Sequence, residues 1–334
     1  MSAMLGGWWA GARRYSGRLD LWDLAHRAGG FEALQRGGLA ALMDAGVSRE
    51  RAHAWVSSRP CEVPMGQALT LSDPRYPRAL RCVPGAPPVL EVEGHLEALH
   101  APCVAVVGTR SCTAYGAAIA RDLGVSLAEA GVTVVSGLAR GIDAHAHRGA
   151  LRGRTVAVVG HGLLHTSPSF HAELRRQIIA GGGAVVSSFA PNDPARPWRF
   201  PVRNQWIAGL SEVVVVVEAP LRSGALITAS RAAELARDVV VVPGRLGDQS
   251  SAGCLRLLSE GAEPLEDIPR WLSERFGRQR RRRSFWLEEL HRGASLDELV
   301  EALGVSPGHL ASTLSELELE GEVEKMPGQR YSLT

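Results

Sequence analysis

Six short apolar runs, rich in valine and without polar alternation, constrain the fold of this chain more than any other feature. The runs are Val104–Val107, Val132–Val135, Val156–Val159, Ala184–Val186, Val213–Val217 and Val239–Val242. Strands that are buried on both faces of a parallel sheet have this pattern. Helical stretches at 115–130 and 228–237 separate two pairs of runs. Because strands and helices alternate, the sequence favours a doubly wound α/β fold for the middle of the chain.

The N-terminal flank has a different pattern. Residues 1–65 contain short apolar stripes at 19–25 and 39–43, and Ser48 can cap a further helix. We therefore predict a small helical domain over 1–65, followed by the α/β core over 66–275. A run of arginines ends this core, and Arg280–Arg283 is interpreted as part of a solvated basic linker over 276–283.

The C-terminal flank resembles a winged helix. The sequence Ser295-Leu-Asp-Glu298 is a capping box that opens a helix, and a turn at Pro327-Gly328 joins two short segments that form the wing. We predict a winged-helix domain over 284–334. Its would-be recognition helix, 309–320, carries glutamates and no lysine or arginine. That sign is wrong for phosphates, so we expect the tail to contact protein or its own core, not a DNA groove.

Composition narrows the function classes. The 334 residues have a net charge of only +2, so any nucleic-acid binding must depend on a local basic patch. Five scattered cysteines without a CxxC pair argue against disulfides and against a zinc site. The sequence contains neither a transmembrane stretch nor a signal peptide, so we expect a cytoplasmic protein without membrane contact.

Small and polar residues follow each predicted parallel strand. In an open α/β sheet, ligands bind at the carboxyl ends of the strands, where glycines allow backbone amides to approach and helix N-termini favour anions. Three of these turns also carry an arginine, namely Arg110, Arg140 and Arg222. Some of the glycines would be needed for tight turns in any case. The combination nevertheless predicts a phosphate or phosphodiester site at this edge.

The motifs of common nucleotide enzymes are absent from the sequence. There is no G-x-G-x-x-G after the first run and no G-x-x-x-x-G-K-[ST], so neither a dinucleotide cofactor nor a P-loop is expected. His145 and His147 are two residues apart and would face different ways on a helix, which argues against a metal site. No spacing places a nucleophile beside a base. We therefore expect binding without catalysis, cofactor or metal.

Aromatic and basic residues interleave in the segment Arg196–Asn204, which contains Trp198 and Phe200. Single-stranded nucleic acids need aromatic faces on which bases can stack, together with cations for the backbone. The alternative is that Phe200 belongs to the core and Trp198 packs a loop. The pattern favours single-stranded nucleic acid as the ligand.

Several segments together resemble a known family. They are Val104–Arg110, Tyr115-Gly116, Val135–Asp143, Ala144–Leu151, Arg203-Asn204, Ile207–Ser211, Val217–Ala219, Ser223–Ala229 and Val242–Gly244. In this combination the chain resembles the DNA-processing protein A family, also called DprA or Smf, over about residues 70–265. One departure is Gln205, where the family's usual Arg-Asn-Arg has its last arginine.

The resemblance implies a Rossmann-like core that binds single-stranded DNA as a homodimer and loads the RecA recombinase during natural transformation. It further implies that the turns at Gly108 and Ser136 hold phosphates, that Arg203 and Asn204 line the DNA groove, and that Phe200 helps to form a base pocket. The complete set of expected DNA-binding residues is Gly108, Thr109, Arg110, Ser111, Ser136, Gly137, Leu138, Ala139, Arg140, Gly141, Arg199, Phe200, Arg203, Asn204, Arg222, Ser223 and Gly224.

Two other functions remain open at this point. One is a nucleotide phosphoribohydrolase on a related scaffold, although residues 222–228 lack the glycine series and the spaced glutamate of such enzymes. The other is an interaction scaffold with a vestigial anion site.

Overall fold

The computed structural model describes residues 3–15, 19–63, 66–276 and 293–303, and beyond them 307, 310–311, 314–315, 318, 323–326 and 330–333. Its contacts divide the chain into two compact units, Met1–Ile268 and Pro269–Thr334. The finer division into four domains stays a prediction. The basic run Arg280–Arg283 lies outside the described residues.

The first unit begins with a helical module closed by a short strand pair. Its elements are β1 (Ala3–Leu5), α1 (Gly7–Tyr15), α2 (Leu21–Arg27), α3 (Phe31–Asp44), α4 (Arg49–Val56) and β2 (Cys61–Val63). Strand β2 pairs antiparallel with β1. Trp55 is fully buried, and its indole Nε1 donates to the carbonyl of Trp8 at 3.0 Å. Ser48 occupies the N-cap position of α4, but its side chain makes no capping hydrogen bond.

A nine-stranded sheet dominates the rest of this unit within the described residues. Its strands are β3 (Gln67–Thr70), β4 (Val89–Gly94), β5 (Cys103–Val107), β6 (Thr133–Ser136), β7 (Thr155–Val158), β8 (Ala184–Ser187), β9 (Val213–Val216), β10 (Asp238–Val241) and β11 (Glu263–Pro264). Their order is β11-β10-β9-β5-β6-β7-β8-β4-β3. The pairings from β11 to β8 are parallel, whereas β4 and β3 add to the far edge in antiparallel orientation.

A short helix, α5 (Arg78–Arg81), lies between the antiparallel strands β3 and β4. The helices between successive parallel strands are α6 (Ala114–Glu129), α7 (Ile142–Gly149), α8 (Ala172–Ala180), α9 (Arg199–Leu210), α10 (Gly224–Glu234) and α11 (Ala252–Ser259). Alternate side chains of one strand enter two different buried clusters. Val156 and Val158 belong to one, Ala157 and Val159 to the other. Both faces of the sheet are therefore covered, which is why the valine runs show no polar alternation. The prediction of a doubly wound, mostly parallel sheet is confirmed.

The antiparallel strand β4 was not among the predicted runs because Glu91 interrupts its apolar sequence. The Glu91 side chain is 1% exposed and forms a buried ion pair with Arg13 of the helical module. Burial raises the pKa of this carboxyl, although Arg13 opposes the shift. The ion pair joins the helical module to the sheet, a contact that local sequence patterns do not reveal.

The second unit contains α12 (Ile268–Arg275) except for its first residue, followed by β12 (Ala294–Ser295), α13 (Leu296–Leu303), β13 (Val323–Met326) and β14 (Arg330–Leu333). Strand β14 pairs antiparallel with both β12 and β13. The predicted capping box is present, because the Ser295 amide donates to Glu298 at 2.7 Å and the Glu298 amide to Ser295 Oγ at 3.3 Å. Leu310 and Leu314 are buried with Leu299. Residues 285–290 and most of the would-be recognition helix, 309–320, lie outside the described residues.

Candidate nucleic-acid interface

The crevice between β5 and β9 is the topological switch point of the sheet. From β5 the chain proceeds to β6 on one side, and it later returns to β9 on the other side of β5. In doubly wound sheets ligands bind at this point, outside the carboxyl ends of the strands. The structure has a cavity of about 540 Å³ here, between the loop after β5 and the loop after β9.

The cavity collects ten of the predicted residues, namely Gly108, Thr109, Arg110, Ala139, Phe200, Arg203, Asn204, Arg222, Ser223 and Gly224. Ser111 and Arg140 are exposed but are not part of its lining. Their role in DNA binding stays a prediction. The sequence did not indicate the apolar wall formed by Pro197, Pro201 and Ile227, because such residues in and near helices cannot be told from core residues by pattern alone.

Two guanidinium groups converge on the Phe200 ring. The Cζ atom of Arg110 lies 5.0 Å from the ring centroid, and that of Arg203 lies 5.9 Å from it. Arg110 is exposed and Phe200 is half-buried, so both can be reached from solvent. A cation beside an accessible aromatic face is an arrangement that can hold a phosphate while a base stacks nearby.

The N-terminus of α10 opens onto the same cavity. Ser223 caps this helix, accepting from the Ala225 amide at 3.2 Å, and Gly224 has open space where a side chain would be. The Asn204 side chain donates to the Gly224 carbonyl at 3.1 Å and so fixes α9 against this turn. Arg222 is exposed beside it. A helix N-terminus with a neighbouring guanidinium favours an anionic ligand.

The N-terminus of α6, unlike that of α10, is not open to an anionic ligand. The Glu218 carboxylate, 4% exposed, accepts from the Thr113 amide at 2.8 Å. A Cβ at Gly116 would lie 2.3 Å from Glu218 Oε2, so the carboxylate packs directly on the first turn. An internal anion thus already occupies this helix end. The general expectation that helices after the strands present free N-termini is wrong for α6.

The loop after β6 is likewise closed. Ser136 is fully buried and its hydroxyl donates to the Val106 carbonyl at 2.6 Å. The Asp143 carboxylate accepts from the Gly137 amide at 3.1 Å and from the Ala139 amide at 3.4 Å. These donors are already used within the protein, and phosphate binding by Ser136 and Gly137 stays a prediction. Asp143 therefore orients this loop through its two backbone amides.

Leu138 and Gly141 complete the closed loop. Leu138 has a φ of 53° and is 1% exposed, and its carbonyl accepts from His171 Nδ1 at 2.9 Å. A left-handed conformation costs a leucine free energy, which its buried packing offsets. A Cβ at Gly141 would lie 2.3 Å from the Thr109 carbonyl, so glycine allows the two loops to touch. Both residues shape this loop, and DNA contact by Leu138 and Gly141 stays a prediction.

Arg203 lies on the floor of the cavity and not on its rim. The residue is 4% exposed, and burial lowers the pKa of its guanidinium to about 10 while Asp143 opposes the shift. Burial also raises the pKa of the Asp143 carboxyl, against the attraction of Arg203. At pKa 10 Arg203 remains charged at neutral pH. It contributes positive potential from below the Phe200 ring, whereas Arg110 is free to contact a ligand.

Arg199 does not line this cavity. Its guanidinium is 8% exposed, pairs with Asp193 at 3.0 Å and donates to the Pro194 carbonyl at 2.7 Å. The prediction placed Arg199 with Phe200 because they are adjacent in sequence, but neighbouring residues of a helix point about 100° apart. Gln205 also points elsewhere, since its side chain donates to the Pro84 carbonyl at 3.1 Å.

The two histidines of α7 are not a metal site. His147 is fully buried, and its Nδ1 lies 2.7 Å from Thr155 Oγ1, which itself donates to the Val134 carbonyl at 2.8 Å. The imidazole therefore donates to the hydroxyl and does not activate it as a nucleophile. Burial lowers the pKa of His147 to about 3. Across the described part of the chain, no cluster of three acidic, histidine or cysteine residues is suited to hold a metal.

Fold and site together define a class of protein: a Rossmann-like domain with an arginine-lined cavity at its switch point, followed by a winged helix. Among the described helices, none has both the length and the apolar character needed to cross a bilayer. The family model of the DNA recombination-mediator protein A matches residues 67–275. The model of the DprA winged helix domain matches residues 291–329. The chain therefore belongs to the DNA recombination-mediator protein A family, as its sequence motifs predicted.

Individual relatives agree with this assignment. Protein Smf of Escherichia coli is 46% identical over 189 residues, which are 56% of this chain and 50% of that protein. Protein Smf of Synechocystis is 45% identical over 203 residues, 59% of this chain and 51% of that protein. The chain thus spans about half the length of these curated relatives. DNA processing protein DprA of Streptococcus pneumoniae is 41% identical over 198 residues, 59% of this chain and 70% of that protein.

Solved structures show the same fold. The X-ray structure of DNA processing protein A from Streptococcus pneumoniae matches with a TM-score of 0.63 at 32% identity, covering 78% of this chain and 95% of that chain. DNA processing protein A from Helicobacter pylori matches with a TM-score of 0.57 at 29% identity, covering 63% of this chain and 95% of that chain. The Helicobacter protein was studied for its single-stranded DNA binding mode.

Proposed function

We propose that this chain binds single-stranded DNA at the switch-point cavity and acts as a non-catalytic recombination mediator. The observation that carries the proposal is the combination, in one cavity, of the exposed cations Arg110 and Arg222, the accessible Phe200 ring and the N-terminus of α10. Neither arginine forms an ion pair within the described part of the chain. Their charges are therefore available to phosphates, and the ring is available to a base.

Membership of the recombination-mediator family and the DNA-binding relative from Helicobacter pylori support this ligand. In the proposed role the protein works in the cytoplasm as a homodimer, protects incoming single strands and loads the RecA recombinase onto them. No observation favours a phosphoribohydrolase. Incubation with nucleoside monophosphates should release no free base.

The test measures the binding of long oligo-dT to the full chain by fluorescence anisotropy over a range of salt concentrations. Light scattering gives the oligomeric state. Arg110→Glu should weaken binding about tenfold, because it removes one phosphate contact and adds repulsion. Arg110→Ala should reduce the slope of log affinity against log salt by about 0.7, the contribution of one contact on a single strand.

Arg152→Glu is the matched control, since Arg152 is exposed but precedes β7 at the opposite edge of the sheet. Its affinity and salt slope should equal those of the unmodified protein. If Arg110→Glu also bound oligo-dT with unchanged affinity and salt dependence, the proposed site would be wrong.

A further inference from the structure

A second groove lies beside the switch-point cavity, between the N-terminal helical module and the core. We call it the N-terminal groove; its volume is about 1030 Å³, and its lining includes Arg14, Tyr15, Arg59, Phe189, Trp198 and Arg199. The start of α9 separates it from the cavity. Pro197, Phe200 and Pro201 line the cavity, whereas Trp198, Arg199 and Val202 line the groove.

Trp198 presents an indole ring to this groove on a rigid support. The ring is 57% exposed although it is among the largest apolar side chains of the core unit. Arg199 holds it from behind: the guanidinium Cζ lies 5.1 Å from the Trp198 centroid and 4.8 Å from that of Phe189. Asp193 and the Pro194 carbonyl hold the same guanidinium, so the Trp198 ring packs on a cation that has fixed partners. An exposed, pre-positioned ring is a stacking surface with little ordering cost.

Positive charge comes from the other wall of the groove. Arg13 is neutralised by Glu91, but Arg14 and Arg59 form no ion pair within the described residues. Arg14 lies over the Tyr15 ring at 5.7 Å. The groove therefore combines aromatic faces with uncompensated guanidinium groups, which is the pattern of a site for a single-stranded nucleic acid and not of an apolar protein interface.

We propose that the N-terminal groove is a second stacking site, which binds the same DNA strand after it leaves the switch-point cavity. This inference rests on the proposed function of the cavity. The ridge between the two sites is the thickness of one helix, about 10 Å. At about 3.4 Å per nucleotide, about three nucleotides cross it. The base next to the ridge stacks on Trp198, and Arg14 and Arg59 contact the adjoining phosphates.

The experiment compares two lengths of oligo-dT on the full chain. An oligonucleotide of about four nucleotides fits the cavity alone, and one of about twelve nucleotides reaches both sites. The unmodified protein should bind the longer one more tightly. Trp198→Ala should lower the affinity for the longer oligonucleotide about fivefold or more, with no change for the shorter one. Arg14→Glu combined with Arg59→Glu should act in the same direction and reduce the salt slope for the longer oligonucleotide only.

Trp22→Ala is the matched control. Trp22 is 41% exposed and has an arginine, Arg81, at the same 5.1 Å from its ring, but it does not line the groove. A direct readout is photocrosslinking of 5-iodouracil placed at successive positions of the longer oligonucleotide. Crosslinks to Trp198 or Tyr15 should appear about three nucleotides away from the position that crosslinks to Phe200.

The outcomes separate the two proposals. If the shorter oligonucleotide binds but Trp198→Ala affects neither length and no crosslink forms in the groove, the second site is wrong and the cavity stands. If the groove variants affect both lengths equally, the groove does not act as an extension and the inference fails. If neither length binds the unmodified protein, both proposals fail together.

Discussion

Loops on the two sides of the same crevice have similar sequences, but the polar groups of one side are used within the protein and those of the other side are open. The loop after β6 (136–141) contains glycines and an arginine, as do the loop after β5 and the turn that opens α10. In the first loop, Asp143 and backbone carbonyls use the polar donors of Ser136, Gly137 and Ala139. At the start of α10, Gly224 faces open space and Arg222 is exposed.

The difference shows that a glycine beside an arginine has two distinct uses. At Gly137 the missing side chain makes room for the protein's own Arg203, whose Nη1 would lie 1.4 Å from a Cβ at this position. At Gly224 the missing side chain leaves room for a ligand. We call these the closed side and the open side of the crevice. Changes on the closed side should alter stability, and changes on the open side should alter DNA binding.

The largest expected effect is on the closed side. Asp143→Ala removes the only carboxylate shown to act on Arg203 among the described residues and leaves two amides unpaired. Leaving a buried guanidinium without its facing carboxylate in this way should cost about 3–5 kcal/mol in the free energy of unfolding, measured by urea denaturation. The exposed Asp122→Ala on α6 should change it by less than about 0.5 kcal/mol. Equal losses in the two variants would contradict the closed-side assignment.

A pair of glycine substitutions gives the next effect. Gly137→Ala forces Arg203 to move and should lower the free energy of unfolding by about 3 kcal/mol, since overpacking of a buried site is costly. Gly224→Ala meets no atom within 4 Å, so its stability should be unchanged or slightly higher. Urea midpoints of both variants test this. A stable Gly137→Ala protein would mean that Arg203 is not held where the structure places it.

The smallest effect of the three concerns pH. His147 has a pKa of about 3 in the fold, below the usual value of about 6.5 in an unfolded chain. The unfolded state therefore binds the proton more strongly, and stability is lost as the pH falls from 6.5 towards 3. At pH 5 the loss should be about 2 kcal/mol. The pH dependence should be flatter in His147→Leu but not in the exposed His95→Leu. Identical pH profiles would argue against a dry environment around His147.

The sequence by itself determined the class of fold. All six valine-rich runs are parallel strands, because a strand covered on both faces has to be apolar at every position. The sequence also predicted the capping box at Ser295, because its hydrogen bonds join residues that are only three apart. The sequence also predicted a site at the carboxyl ends of the parallel strands, and ten of the predicted residues line one cavity there.

Only the tertiary structure decided which of those residues face the cavity. Asp143 closes one loop, Glu218 occupies the start of α6, and Arg199 faces a different groove from Phe200. These outcomes depend on partners far apart in the chain, such as Thr113 and Glu218, and no local pattern specifies which donor meets which acceptor. Burial on both faces requires an apolar residue at each position of a strand, and the sequence shows this directly. Whether a single amide or guanidinium is available to a ligand depends on one distant neighbour.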